Sequence, residues 1–174
     1  MQFIETKIEG VFLIKTEPKT DERGFFKRVF CASEFQNKSL ESNFVQSNLT
    51  HNKLAGAVRG MHYQLYPHEE VKLVSCISGS VYDVVVDVRE DSETYLSFFG
   101  AELSESNGLM MYVPKGFAHG YQTLQKNSIV HYMVSNYYAP EFEDGIRYND
   151  EKIGIQWPLE VAMVSQKDNS WPFL

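Results

Sequence analysis

Apolar and polar residues along this chain alternate with a period of two or gather into short β-branched runs, a pattern that predicts strands rather than helices. The clearest segments are VYDVVVDV at 81–88, LMMYVP at 109–114, SIVHYMV at 128–134 and KLVSCI at 72–77. Turn-forming pieces separate the strands: SGS at 78–80, SESNG at 104–108, LQKN at 124–127 and APEFEDG at 139–145. Many short strands at this spacing predict a sandwich or barrel. The opening MQFIETKIEGVFLIKTEP mixes Glu5, Lys7, Glu9 and Lys15 with its apolar residues, so it reads as a strand and not as a secretory leader. Helix is expected to be minor, with one short candidate from about Ala32 to Leu40 that Ser33 would cap. Along 128–134, alternation places Ile129, His131 and Met133 on one face and Val130, Tyr132 and Val134 on the other.

Size and composition narrow this picture. A chain of 174 residues without a linker or an internal repeat predicts one domain over residues 1–174. Apolar residues are 43% and charged residues 22% of the chain, and no apolar run is long enough for a membrane span, so no membrane partner is expected. The formal charge of -7 repels nucleic acid, so a phosphate-bearing ligand has to be met by a local basic pocket. Cys31 and Cys76 are too few for a disulfide framework and lack metal-type spacing, which predicts free thiols and a cytoplasmic protein. A small barrel leaves one open mouth lined by inward-facing residues of several strands, where the chemistry is expected.

Functional side chains are densest in DERGFFKR at 21–28, QSNLTHNKLAGAVRGMHYQ at 46–64, PKGFAHGYQ at 114–122 and VHYMVSNYY at 130–138. In Arg59-Gly60-Met61-His62, strict alternation puts Arg59 and His62 on opposite faces unless the glycine permits a bulge that re-aims one of them. Lys72, at the start of an apolar strand, reads either as a solvated lysine or as a cavity cation that stabilises an oxyanion. Tyr132 reads equally as a buried phenol satisfying one hydrogen bond.

Taken together, RGFF at 23–26, QSN at 46–48, RGMHYQ at 59–64, KLV at 72–74, GSVYDVVVDVR at 79–89, VPKGFAHGY at 113–121, HYMVSNYY at 131–138, YNDEKIGIQWP at 148–158 and SQKD at 165–168 resemble the dTDP-4-dehydrorhamnose 3,5-epimerase family of cupins. The resemblance runs from Met1 to Leu174. It implies an all-β cupin jelly-roll barrel with minor short helices, and a homodimer in which residues 23–28 complete the partner's site. The implied activity is 3,5- or 3-epimerisation of a nucleotide-diphospho-4-keto-6-deoxyhexose, linked to dTDP or CDP, in deoxysugar and O-antigen-type polysaccharide biosynthesis. It also implies roles: His62 as general base held by Asp168, Tyr132 as the acid on the opposite face, and Lys72 at the enolate oxygen. Gln46, Asn48, Arg59, His119, Glu143 and Lys167 would hold the sugar or diphosphate. Tyr138 would flank the nucleotide, and Arg23 with Phe26 would reach over from the partner.

These residue types suit the reaction. A neutral imidazole cannot remove a proton alpha to a ketone unaided, so the developing enolate needs a cation such as Lys72. An imidazole exchanges protons near neutral pH, and a carboxylate on its far nitrogen fixes the tautomer. Inversion needs a second acid on the other face, which Tyr132 supplies. The C4 ketone is itself the electron sink, so no cofactor is expected, and neither a Rossmann fingerprint nor a phosphate loop is present.

Two other readings compete. One is a metal cupin holding its ion with His62, His119 and a carboxylate; His62-Tyr63-Gln64 lacks the usual His-x-His pair, and Glu69 and Glu70 replace it poorly, so no metal is expected. The other is a catalytically dead nucleotide-sugar binder, which has no need for opposed proton donors. Two positions depart from the family pattern. Arg28 stands where a glutamate is usual; it donates hydrogen bonds and cannot accept them, which suits a base with acceptors, such as cytosine. Glu70 stands where glutamine is common.

Overall fold

The computed structural model describes residues Met1–Leu174. Fourteen strands follow one another as β1 (Gln2–Glu5), β2 (Phe12–Lys15), β3 (Lys19–Asp21), β4 (Gly24–Phe26), β5 (Gln46–Asn52), β6 (Ala57–Gln64), β7 (Lys72–Ser78), β8 (Ser80–Asp87), β9 (Phe98–Ser104), β10 (Leu109–Val113), β11 (Phe117–Thr123), β12 (Ser128–Val134), β13 (Glu143–Gly145) and β14 (Met163–Val164). Two one-turn helices complete the chain, α1 (Ala32–Gln36) and α2 (Gln166–Ser170). One six-stranded sheet runs β1-β2-β10-β7-β12-β5 and the other runs β13-β6-β11-β8-β9, with β14 alongside β6; β3 and β4 form a separate hairpin. This is the all-β jelly-roll arrangement with minor helices.

The two sheets face each other. Val74, Met111 and Val130 of the first pack against Val81, Val85, Leu103, Phe117 and Tyr121 of the second. The outer face of the second sheet is covered as well: Val84, Val86 and Ala118 lie under Ile146, Ile153 and Ile155. Burial on both faces explains why β8 is nearly continuously apolar, since every valine there leaves water, at roughly 1.5–3 kcal/mol each. In β12, Val130 and Val134 are buried on the inner face, whereas Ile129, His131 and Met133 are partly exposed, as the alternation predicts.

The four strongest strand segments are strands, and the structure differs from the sequence reading in three places: the opening segment, read as a strand, is a hairpin of β1 and β2. The first helix ends at Gln36 and not near Leu40, because Ser39 turns to a φ of 57° and breaks the spiral. Cys31, without a side-chain cap bond, occupies its N-cap position, and Ser33 lies inside the helix. The piece 139–145, rich in turn formers, holds a 3-10 turn at Pro140–Phe142 and then β13, which pairs with β6 through Glu143↔Gln64, Asp144↔Tyr63 and Gly145↔His62. Tertiary pairing makes that strand, against its local composition.

Candidate active site

A cavity of about 1010 Å³ opens between the sheets where β5 and β6 meet. From β5 the alternate residues Gln46, Asn48, Thr50 and Asn52 face into it. From β6 both Arg59 and His62 line it, and a bulge makes this possible. His62 pairs with His119 and Arg59 with Tyr121, so three steps along β6 match two along β11. Gly60 sits at the irregularity with a φ of +110°, and a Cβ there would come within 2.6 Å of the Gly120 Cα and the His119 carbonyl oxygen. Only glycine accepts that backbone and that approach.

His62 Nε2 donates to Asp168 Oδ1 at 2.6 Å, which leaves Nδ1 as the nitrogen free to act as a base. Asp168 also accepts from the Gly60 N–H at 3.3 Å. Burial pushes the Asp168 carboxyl up, but the hydrogen bond and charge of His62, with help from Gly60 and Ser165, outweigh it and hold the group below the usual carboxylate range. The Trp171 indole meets the His62 ring edge-on, with centroids 6.1 Å apart. A second pair lies beside it on β11: His119 Nε2 donates to Asp83 Oδ2 at 2.9 Å.

Across the cavity, on the first sheet, stand Lys72 of β7 and Tyr132 of β12. Burial pushes the Tyr132 phenol up, the negative charge of Glu70 adds to this, and Arg59 opposes it. Lys72 Nζ is 3.1 Å from Glu70 Oε1 and 3.5 Å from the His62 carbonyl oxygen. Arg59 Nε donates to Asn52 Oδ1 at 2.8 Å, leaving its terminal nitrogens for an anion. At the mouth, Glu143 accepts from the Tyr138 hydroxyl at 2.6 Å and from Lys167. Burial raises the Glu143 carboxyl, yet these two donors bring it below its ordinary value.

Of the residues singled out from the sequence, His62, Lys72, Tyr132, Asp168, Gln46, Asn48, Arg59, His119, Tyr138, Glu143 and Lys167 all line this one cavity. Arg23, Phe26 and Arg28 do not. Arg23 pairs with Asp21 on the exposed hairpin, Phe26 is 67% exposed, and Arg28 reaches Glu34 of α1 at 3.5 Å. No three His, Cys, Asp or Glu side chains converge as metal donors would, because His62 and His119 aim at separate aspartates. Sequence reasoning missed Asp83, although a carboxylate on the inward face of the most apolar strand was a readable signal. It also missed Gln64, which is buried and bonds to Glu70, His68, Tyr137 and Ala139.

Comparison with known proteins identifies the family and the fold. The family described as dTDP-4-dehydrorhamnose 3,5-epimerase matches residues 5–174. The dTDP-4-dehydrorhamnose 3,5-epimerase of Methanothermobacter thermautotrophicus is 40% identical over 173 residues, covering 98% of this chain and 92% of that protein. The crystal structure of the enzyme of that name from Bacillus anthracis, with TDP and PPi bound, superposes with a TM-score of 0.96 at 36% identity, covering 99% of each chain. The dTDP-6-deoxy-D-glucose-3,5-epimerase of Legionella pneumophila, in complex with dTDP-4-keto-L-rhamnose, gives a TM-score of 0.94 at 36% identity, covering 99% of this chain and 92% of that one.

Proposed function

The chain belongs to the dTDP-4-dehydrorhamnose 3,5-epimerase family and is an isomerase of nucleotide-linked 4-keto-6-deoxyhexoses in deoxysugar biosynthesis; from this premise we propose how its own residues carry the reaction. His62 Nδ1 removes the proton on a carbon flanking the C4 ketone, and Asp168 stabilises the imidazolium that forms. The electron pair moves onto the ketone oxygen, where Lys72 meets the developing charge. Tyr132 returns a proton to the opposite face, inverting the centre, and the cycle repeats at the second flanking carbon. The observation that carries this reading is His62 of one sheet, held by Asp168 of α2, facing Lys72 and Tyr132 of the other sheet.

The nucleotide in this reading is dTDP, in line with the thymidine ligands of the two neighbouring structures. Arg59, Lys167, Gln46, Asn48 and His119 hold the sugar and diphosphate, Glu143 sets the position of Lys167, and Tyr138 stacks on the base. The protein works as a cytoplasmic homodimer of single-domain chains. Phe26 and Arg23, on a hairpin clear of the chain's own cavity, cover the partner's nucleotide; Arg28, on the segment that follows, reaches it as a further donor.

The test offers dTDP-, CDP- and GDP-linked 4-keto-6-deoxyglucose in deuterated water and locates the label by mass and NMR. Label at C3 and C5 with the dTDP substrate is expected. Preferred turnover of the CDP substrate would overturn the nucleotide and return Arg28 to the role of base reader. His62→Ala should abolish exchange at both centres, whereas Tyr132→Phe should retain more exchange than inversion; equal loss of both counts against those roles. Mixing Arg23→Ala chains with His62→Ala chains should restore activity, because one of the two sites in the mixed dimer then has both groups.

A further inference from the structure

Glu70 sits where the proposed chemistry does not call for a carboxylate. Its side chain is 10% exposed and that of Lys72 12%, so the pair is largely withdrawn from water. One oxygen is 3.1 Å from Lys72 Nζ; the other accepts from Gln64 Nε2 at 3.0 Å. Gln64 is itself fixed, since the same amide donates to the His68 carbonyl and its oxygen accepts from the Ala139 N–H. The carboxylate therefore has a rigid anchor on one side and a catalytic cation on the other.

Shape alone does not require a charge here. A neutral amide of the same length would accept the Gln64 bond and tie the 65–70 loop to β6 equally well. What the carboxylate adds is a charge at the cavity wall that Lys72, from β7, and Tyr132, from β12, both share. Arg59 and His62 of β6 and His119 of β11 also face this cavity, with the Glu143–Lys167 pair at its mouth. Among them Glu70 favours the protonated phenol of Tyr132 and Arg59 disfavours it. A buried opposite charge also holds a flexible lysine in one place.

We infer that Glu70 is a positioning residue of this site: clamped by Gln64 and paired with Lys72, its carboxylate fixes the ammonium at the cavity wall and sets the charge that Lys72 and Tyr132 face there. The inference rests on the proposed roles of those two residues. It divides the labour on the first sheet, with the cation fixed for the enolate oxygen and the phenol kept as a donor.

Glu70→Gln removes the charge and keeps the size. Two readouts are taken: the titration of Tyr132 by NMR of 13Cζ-labelled tyrosine, assigned by the signal that Tyr132→Phe loses, and the alkaline limb of kcat/KM for epimerisation. Removing the negative charge makes phenolate easier to form, so both are expected to move to lower pH. Glu70→Asp, which keeps the charge, should return the alkaline limb most of the way to the parent. If neither readout moves in Glu70→Gln, the inference is overturned. If the tyrosine signal moves and the rate profile does not, Glu70 has no part in the reaction and the inference fails too. The reading of Tyr132 as the acid fails separately, when Tyr132→Phe leaves inversion at the parent rate.

Discussion

His62 and His119 stand directly opposite each other on neighbouring strands, and each gives its Nε2 hydrogen to an aspartate, yet the two pairs are built differently. Asp168 rides on α2, a one-turn helix near the end of the chain, and its carboxylate takes a second bond from the Gly60 N–H. Asp83 lies in the middle of β8, wholly buried, with Oδ1 lacking any partner. The His62 side chain is 29% exposed and that of His119 only 10%. A base that must gain and lose a proton needs room at its reacting nitrogen and a carboxylate whose charge is well supported. An imidazole that only presents one polar atom to a sugar or phosphate can be locked onto a central strand. The two pairs thus divide into a working base and a fixed contact.

The sharpest way to break that division is to neutralise each aspartate in turn. In Asp168→Asn the amide no longer supports the imidazolium, so kcat for epimerisation and the rate of deuterium exchange should fall together by roughly 100- to 10,000-fold, the usual worth of general-base catalysis. KM should change far less, and steady-state kinetics read both. Asp83→Asn should show the reverse: KM raised about tenfold with kcat within about threefold of the parent, the pattern of lost uniform binding. A fall in kcat as large as that of Asp168→Asn would mean that His119 is part of the proton-transfer machinery and that the division is wrong.

The same contrast marks how far the sequence could be read. Strand alternation made β7, β8, β10 and β12 and the inward face of Tyr132 legible; at Gly60 alternation alone put Arg59 and His62 on opposite faces, and the bulge that lets them share a cavity stood only as the exception a glycine allows. Asp168 is separated from His62 by 106 residues, and no local pattern joins them; the family resemblance alone linked the two positions. β13 was hidden because its strand character comes from pairing with β6 and not from its own residues. The extent of α1 was hidden because Phe35, packed among Phe3, Phe30 and Phe44, anchors a single turn whatever the capping chemistry around it. The Lys72–Glu70 pair was half legible: both residues were visible, but their closeness depends on the path of the 65–70 loop, which Gln64 fixes.

The smallest expected effect tests whether Asp168 is held as loosely as its place on a one-turn helix implies. Ser165 is the N-cap of α2, and its Oγ accepts the Asp168 N–H at 3.0 Å. Ser165→Ala should therefore cost about 1 kcal/mol of stability, the ordinary worth of such a cap, measured by chemical denaturation. Ser165 also helps hold the Asp168 carboxyl below its usual range. Without it that carboxyl takes up a proton more readily, so the acid limb of the exchange profile should move to higher pH, with kcat at neutral pH little changed because the carboxylate is ionised there with or without the cap. Asp83 has no equivalent weakness, because β8 is held along its length by ladders to β11 on one side and β9 on the other. If Ser165→Ala loses the expected stability and leaves the acid limb in place, α2 is held to β6 by Trp171 and the Gly60 bond strongly enough to keep Asp168 aligned without its cap. The two aspartates would then be equally fixed, and the difference between the pairs would reduce to the exposure of the two imidazoles.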